Sequence, residues 1–190
     1  MGTITEHDGP FLNHIELYHR PGDADLAARF FETLGCVIVD ITKEFGSSST
    51  YMGVFSGESQ RDSLNNVLYL TQAREEHSQL EDVLQRRVQE DEELRGALEQ
   101  HQQTRTRMGV SHFGLRYQGF EELRAAIGRL ERALSGELAG RITMYPPFPV
   151  KLPALGTEVL QTFVHTDLIG PGFFPFGQLI ELQAQQPLQA

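Results

Sequence analysis

The stretch FLNHIELY, from Phe11 to Tyr18, alternates apolar and polar side chains with a period of two. In an extended chain Ile15 and Leu17 lie on one face, and His14 and Glu16 lie on the other. Such alternation predicts a β-strand that packs one face on a core and leaves the other face open. The strand therefore carries an imidazole on its open face.

The same pattern returns in the second half, in the stretch VSHFGLRY from Val110 to Tyr117. Here Phe113 and Leu115 take the apolar positions, and His112 lies opposite them. Each stretch is followed by one predicted helix and three predicted strands, separated by turn residues. The helices are expected at 24–34 and 119–135, and the strands at 36–41, 50–55, 66–72, 141–145, 158–166 and 178–183. The chain thus predicts a repeated β-α-β-β-β order.

These two halves predict an α+β fold built from two βαβββ modules, with a long inter-module helix. Residues 1–10 are expected to form a flexible tail, 11–74 the first module and 109–185 the second, all in one structural domain. Residues 75–108 are rich in Glu, Gln and Arg, contain no Pro, and predict a helical linker. Its helical part, 75–105, is either one long helix or a broken pair. Its apolar stripe either packs on the domain or docks on a partner subunit.

Bulk composition limits the classes of function. The 190 residues suit one domain, and the net charge of −10 argues against nucleic acid and anionic membranes as partners. The single cysteine, Cys36, excludes an intrachain disulfide, fits a cytoplasmic protein and is interpreted as a small core residue. No signal peptide is evident, and no apolar stretch reaches the ~20 residues that span a bilayer.

A third polar residue, Glu181, lies between Ile180 and Leu182 in the last predicted strand. It takes the face opposite these apolar neighbours, as His14 and His112 do in their strands. If the two modules pair so that the open faces form one concave surface, the two imidazoles and the carboxylate meet inside it. Such a set suits a divalent transition ion and is typical of non-haem Fe(II) oxygenases. The alternative is that each histidine is an ordinary surface residue, because the spacing contains no short metal motif.

Longer motifs resemble a known superfamily. A histidine-bearing strand at 12–15 is followed by a helix ending in FFETLG at 30–35, and the chain closes with FGQLIEL at 176–182. This combination resembles the vicinal oxygen chelate superfamily, which includes glyoxalase I, bleomycin-resistance proteins and type I extradiol dioxygenases. The resemblance spans about residues 11–184. It implies that the paired βαβββ modules form an open mixed-sheet barrel around a metal.

The resemblance also implies a ligand set, because the superfamily takes its ligands from the first and last strands of each module. Carried over by position, these are His14, Tyr69, His112 and Glu181. Tyr69 departs from the glyoxalase I pattern, in which a glutamate is expected as the fourth ligand. The remaining His-His-Glu set resembles that of extradiol dioxygenases. Fe²⁺ is the expected ion, with Mn²⁺, Zn²⁺ or Ni²⁺ as alternatives.

Further residues are candidates for proton transfer or substrate binding near the metal. His165 and Tyr69 are candidates for proton transfer and substrate contact, although an exposed strand histidine and a plain wall residue are the alternatives. Arg116, Glu16 and Phe174 are candidates for substrate binding, with Arg116 holding a carboxylate or pairing with Glu16. The other histidines are expected to face solvent, namely His7, His19, His77 and His101.

The leading hypothesis is a metal-dependent dioxygenase, lyase or isomerase that acts on a small organic oxygen compound, with extradiol-dioxygenase-like or glyoxalase-like chemistry. The second hypothesis is a metal-free small-molecule binding protein of antibiotic-sequestering type. The third is a regulatory protein that uses the helical linker for partner contacts. The sequence leaves open whether the modules pair within one chain or in a homodimer.

Overall fold

A computed structural model describes residues 12–47, 49–104, 111–170 and 177–188. The predicted fold class is confirmed: the described residues form two five-stranded mixed sheets and four α-helices. No helix in these ranges is both long enough and apolar enough to cross a membrane.

The first module has the predicted β-α-β-β-β order. Its elements are β1 (His14–His19), α1 (Ala24–Leu34), β2 (Val37–Asp40), β3 (Tyr51–Phe55) and β4 (Val67–Gln72). The strands lie in the order β2-β3-β4-β1, and β1 is parallel to β4. The first and last strands of the module are therefore neighbours in the sheet.

The linker forms a broken pair of helices, α2 (Glu75–Glu90) and α3 (Glu92–Thr104). The break falls at Asp91, whose backbone is extended rather than helical. Its carboxylate accepts a hydrogen bond of 3.0 Å from the backbone N–H of Leu94, so Asp91 acts as the N-cap of α3.

The second module repeats the first and adds to it. Its elements are β5 (His112–Tyr117), α4 (Phe120–Ala133), β6 (Ile142–Met144), β7 (Phe148–Leu152), β8 (Thr157–Thr166), β9 (Ile169–Gly170) and β10 (Gln178–Pro187). The strands lie in the order β6-β8-β10-β5, and β5 is parallel to β10. This order is equivalent to that of the first module.

Two strands were not expected. The first, β7, lies in a Pro-rich stretch and pairs only with β8, so Pro149 lies on an edge strand where a missing N–H is tolerated. The short strand β9 pairs with the end of β1, with Tyr18 opposite Gly170. A segment of the second module thereby extends the sheet of the first.

One hydrophobic core serves both modules. It contains the fully buried Phe30 and Phe31 of α1 and Leu123 and Leu130 of α4, and it includes the apolar face of each sheet. The carbonyls at the end of α1 are satisfied by the second module. The Tyr117 hydroxyl donates to the Leu34 carbonyl at 2.8 Å, and Arg129 Nε donates to the Thr33 carbonyl at 2.8 Å.

Ion pairs join the modules at the opposite end of α1. Asp23 is the N-cap residue of this helix, but its side chain makes no capping hydrogen bond. It instead accepts a hydrogen bond of 2.7 Å from Arg141 of the second module, which also donates to Asp167 at 2.8 Å. Arg20 bridges Asp167 and the buried Glu81 of α2. The carboxylate that looked like a local cap is used to hold two modules together.

His19 corrects a sequence prediction. It was expected to face solvent, but it is 1% exposed. In β1 it continues the apolar face of Ile15 and Leu17, because every second residue of a strand shares a face. Its Nδ1 lies 2.9 Å from the Arg20 carbonyl oxygen. The imidazole is a core residue and lies away from the open face.

Candidate functional site

The open face of the first sheet is defined by the register of β1 and β4. His14 lies opposite Val67, and Glu16 lies opposite Tyr69. Residues that are directly paired across neighbouring strands point to the same face. Val67 and Tyr69 belong to a small hydrophobic cluster separate from the main core.

The open face of the second sheet has the same register. In β5 and β10, His112 lies opposite Leu179, and Gly114 lies opposite Glu181. His112 therefore takes the position of His14. Glu181 takes the position that Tyr69 holds in the first module. The sequence predicted that Tyr69 and Glu181 occupy equivalent positions in the two modules. The pairing of the strands gives the same correspondence.

His112 and Glu181 are in direct contact. His112 Nε2 lies 3.3 Å from Glu181 Oε2, and the two side chains are 32% and 16% exposed. The buried Phe163 lies beneath the imidazole, with its ring centroid 5.7 Å away and the two rings perpendicular. Phe148 of β7 stacks on Phe163 at 6.3 Å. The imidazole and the carboxylate thus lie side by side in a partly exposed position, next to two packed aromatic rings.

The separation of these two atoms matches that of two ligands of one metal ion. With metal–ligand bonds of about 2.1 Å, two donors lie about 3.0 Å apart at a right angle and about 3.4 Å apart at a tetrahedral angle. The observed 3.3 Å between Nε2 and Oε2 falls in this interval. The spacing of this pair is therefore compatible with two ligands of one divalent ion.

The third predicted ligand does not join this pair. His14 and His112 line one cavity of about 370 Å³ between the modules, but Glu181 does not line it. The His14 ring packs against Tyr69, with centroids 4.9 Å apart. Within the described parts of the chain, no group of three or more His, Cys, Asp or Glu side chains is arranged to hold a metal. The predicted set of three ligands stays a prediction.

Tyr69 is held by its hydroxyl. The ring is 5% exposed, and the hydroxyl donates to the Ser63 carbonyl at 2.7 Å. Burial, with Asp62 and Glu16 nearby, raises the pKa of this phenol. Tyr69 therefore presents a ring edge rather than a hydroxyl to the open face, and the proton-transfer role stays a prediction.

Glu16 lies among hydroxyl groups on the same face. Its Oε1 accepts a hydrogen bond of 3.3 Å from Thr71, and Tyr51 also donates to its carboxylate. Burial, and then the negative charge of Glu16, raises the pKa of Tyr51 to about 12. Among the described residues, Glu16 and Arg116 form no ion pair with each other. The predicted substrate contacts of both residues stay predictions.

His165 lies on the open face of the second sheet. It is opposite Leu179 on β10, and Leu179 in turn is opposite His112 on β5. Two strand spacings of about 4.8 Å separate the two histidine backbones by about 10 Å. The His165 ring packs over Gly177, where φ is +60° and any Cβ would overlap both the imidazole and the Thr166 carbonyl. Phe174 lies outside the described residues.

Other residues of the site were not singled out from the sequence. Phe163 was assigned only to a strand, yet it forms the floor under His112. Asn13, Ser56 and Asn66 line the inter-module cavity. Asn66 has a positive φ of 53°, which Asn tolerates better than most residues. Two consecutive asparagines, Asn65 and Asn66, directly before an apolar strand are a sequence pattern that could have predicted this turn.

No profile of a known protein family matches the chain, and no curated protein matches it. Two solved structures are similar. One is a glyoxalase/bleomycin resistance protein/dioxygenase family enzyme from Burkholderia phytofirmans PsJN, with 10% identity and a TM-score of 0.45, covering 90% of this chain and 96% of that one. The other is a glyoxalase/bleomycin resistance protein/dioxygenase from Alicyclobacillus acidocaldarius, with 14% identity and a TM-score of 0.41, covering 92% and 90%. Both descriptions name the group that the sequence motifs resemble.

Proposed function

We propose that the chain is a metal-dependent enzyme of the vicinal oxygen chelate superfamily that acts on a small organic oxygen compound. The observation that carries the proposal is the contact of His112 with Glu181, whose nitrogen and oxygen lie 3.3 Å apart. The two residues come from neighbouring parallel strands of one sheet, so a hydrogen-bonded backbone fixes their separation. Ligands on strands are held more firmly than ligands on loops.

His14 is the proposed third ligand. It lines the same inter-module cavity as His112, and it occupies the equivalent position of the first module. Its ring packs against Tyr69, with the centroids 4.9 Å apart. A two-histidine, one-carboxylate set leaves coordination positions open, and a divalent ion bound there supplies Lewis acidity toward substrate oxygen atoms.

The remaining residues shape the surroundings of this site. Phe163 and Phe148 give one wall an aromatic surface, which favours a flat organic ligand. His165 lies on the same open face, two strands from His112, and it is the proposed proton carrier toward the far edge of a bound ligand. The proposed chemistry is extradiol-dioxygenase-like or glyoxalase-like.

The experiment is elemental analysis of protein purified without chelator, followed by oxygen uptake on a panel of catechols. We expect close to one divalent ion per chain, with Fe²⁺ first and Mn²⁺, Zn²⁺ or Ni²⁺ as alternatives, and activity toward at least one catechol or α-oxo compound. A His112→Ala variant is expected to fold and to lose both metal and activity. Full activity of this variant contradicts the proposal.

A second candidate is a metal-free binding protein for small drug-like molecules. It is favoured by one observation, the absence of a group of three potential metal ligands among the residues that the structure covers. Protein that contains no metal after growth in metal-supplemented medium, and that binds an aromatic drug-like compound in the micromolar range or tighter, supports this candidate over the enzyme.

A further inference from the structure

The linker helices α2 and α3 bury very few of their own side chains. Glu81 is the only buried residue of α2, and its Oε1 lies 2.9 Å from the guanidinium of Arg20. His77 packs against Tyr18 of β1, with the ring centroids 5.7 Å apart. None of residues 92–103 of α3 is buried. The packing that usually stabilises helices of this length is therefore missing along most of the pair.

A groove of about 800 Å³ lies between α2 and α3, and its described lining residues all belong to these two helices. On α2, the lining residues Gln79, Val83, Arg86 and Glu90 are three or four positions apart, so they share one face of the helix. Glu81, which contacts the rest of the protein, lies on the opposite face. The face that lines the groove is therefore not the face that holds α2 in place.

Apolar side chains lie in this groove and beside it. Val83, Val88 and Leu98 line the groove, and Val83 is 43% exposed. Leu80 and Leu94 on the same two helices are 50% and 43% exposed. Leu94 and Leu98 are four residues apart, so they lie on one face of α3. Apolar side chains that are grouped and exposed in this way indicate a surface that contacts another molecule.

The helix pair also carries most of the net negative charge of the protein. Residues 75–104 contain nine acidic and three basic residues, a net charge of −6, and the whole chain has a net charge of −10. Asp82 and Glu90 line the groove, and Arg86 is the one base among the described lining residues. An apolar groove in acidic surroundings attracts an apolar surface that carries Lys or Arg, and it repels an acidic one.

We propose that the groove between α2 and α3 binds an amphipathic helix of another protein, one with an apolar stripe and a net positive charge. Helices of this kind bind grooves through apolar residues at three- and four-residue spacing. Val83, Val88 and Leu98 receive the apolar stripe, and the acidic residues of the pair attract the Lys and Arg side chains beside it. A second copy of this chain is a poorer occupant, because it brings a further charge of −6 to an acidic surface. The inference depends neither on metal binding nor on the proposed enzyme activity.

The experiment uses two labelled peptides, LKKLLKLLKKLLKL and LEELLELLEELLEL, which share the apolar positions of a helix and differ in charge. Each is about 21 Å long as a helix, close to the length of about 24 Å that α2 has. Fluorescence anisotropy measures their binding to the full chain at physiological ionic strength. The cationic peptide is expected to bind with a Kd in the micromolar range, and the anionic peptide at least about 10-fold more weakly, a difference of about 1.4 kcal/mol. Equal binding of the two peptides, or binding of neither, overturns the inference.

Matched variants distinguish the groove from general attraction to an acidic protein. The double variant Val83→Gln/Leu98→Gln keeps the charge and removes apolar lining, and it is expected to bind the cationic peptide at least about 10-fold more weakly. The control, Leu64→Gln/Leu155→Gln, changes two leucines that are 52% and 73% exposed elsewhere, and its affinity is expected to stay unchanged. Circular dichroism checks that both variants keep their helices. Equal affinities of the two variants show that the attraction is unspecific and overturn the inference.

Hydrogen exchange locates the bound peptide without any substitution. A helix without buried residues opens readily, so the amides of residues 92–103 are expected to exchange quickly in the free protein. Saturation with the cationic peptide is expected to slow this exchange at least about 5-fold and to leave the amides of α4 unchanged. Binding of the peptide without protection of α3 overturns the assigned groove.

Analytical ultracentrifugation tests the other occupant, a second copy of the chain. The Val83→Gln/Leu98→Gln variant is expected to have the same oligomeric state as the wild-type protein at micromolar concentration, because the groove is reserved for a basic partner. A dimer of the wild-type protein that this substitution dissociates would assign the groove to a second copy and overturn the inference.

Discussion

The two modules place different chemistry on the same backbone register. In the second module the histidine of the first strand contacts the carboxylate of Glu181, whereas in the first module the equivalent contact of His14 is with the ring of Tyr69. The carboxylate of the first module, Glu16, is instead on β1, at the position that Gly114 holds in β5.

The difference teaches that strand register alone does not make a metal site. Both modules bring a first-strand histidine next to a last-strand side chain, but only in the second module is that side chain a carboxylate, with its Oε2 3.3 Å from the imidazole Nε2. In the first module the last-strand position is filled by a buried ring that is fixed to the loop at Ser63. We therefore propose that the second module supplies two of the metal ligands and the first module supplies only His14.

The largest expected effect concerns Gly177, which leads into the last strand of the second module. Gly177→Ala forces a Cβ into the Thr166 carbonyl at φ +60°, and we expect it to lower the free energy of unfolding by about 4 kcal/mol, near the upper end of single substitutions. Gly46 has the same φ of 60° with open space around it, so Gly46→Ala is expected to cost only about 1 kcal/mol. Urea denaturation measures both. Similar losses in the two variants contradict the close packing of His165 and Gly177.

The next effect tests the assignment of metal binding to one module. Glu181→Gln keeps the shape of the side chain and removes its charge, and we expect at least about 100-fold weaker metal binding, because even outer hydrogen-bond partners of metal ligands contribute 10- to 100-fold. Glu16→Gln makes the same change in the first module and is expected to leave metal affinity unchanged. Competition with a chelating dye measures both variants. Equal weakening would place the ion between the modules' two carboxylates.

A smaller effect is expected from the hydroxyl of Tyr69. Tyr69→Phe removes the hydrogen bond to the Ser63 carbonyl, and we expect a loss of about 1 kcal/mol in the free energy of unfolding. Metal affinity is expected to stay at the wild-type value, because the hydroxyl points to the loop. Thermal and urea denaturation, with the dye assay as control, check this. Loss of metal binding in Tyr69→Phe would give the phenol the fourth ligand position.

The smallest effect is a shift in the titration of Tyr51, whose pKa is raised to about 12 by burial and by Glu16. Because the folded-state pKa lies above the unfolded value of about 10, the neutral phenol favours folding below pH 10, and this contribution is lost as the pH rises from 10 through 12. Glu16→Gln is expected to move the titration, followed by absorbance at 295 nm, toward lower pH. An unchanged titration would mean that burial alone raises this pKa.

Much of the architecture could be predicted because hydrophobic periodicity reports burial directly. The helix predicted at 24–34 is observed as Ala24–Leu34, and the alternation in β1 and β5 correctly gave the open face of His14 and His112. The same alternation, carried two residues past Leu17, would have placed His19 in the core. The prediction that His19 faces solvent was wrong because it assumed that a residue at the end of a strand is exposed.

The other features of the structure depend on contacts between residues that are far apart in the chain, and no local sequence pattern reports such contacts. Asp23 resembles a helix cap in the sequence, and its partner Arg141 is 118 residues away. Glu181 and His112 could be placed on one face from alternation, but their contact depends on the pairing of β5 with β10. The position of His14 relative to this pair depends on how the two sheets pack.

Anomalous diffraction at the iron edge, from crystals grown with Fe²⁺ without oxygen, tests the central claim most directly. The account predicts one peak per chain, about 2.1 Å from both His112 Nε2 and a carboxylate oxygen of Glu181, with His14 as the third protein ligand. A well-ordered His112–Glu181 pair without a peak between the two residues, at an iron concentration that saturates the protein in solution, would contradict it.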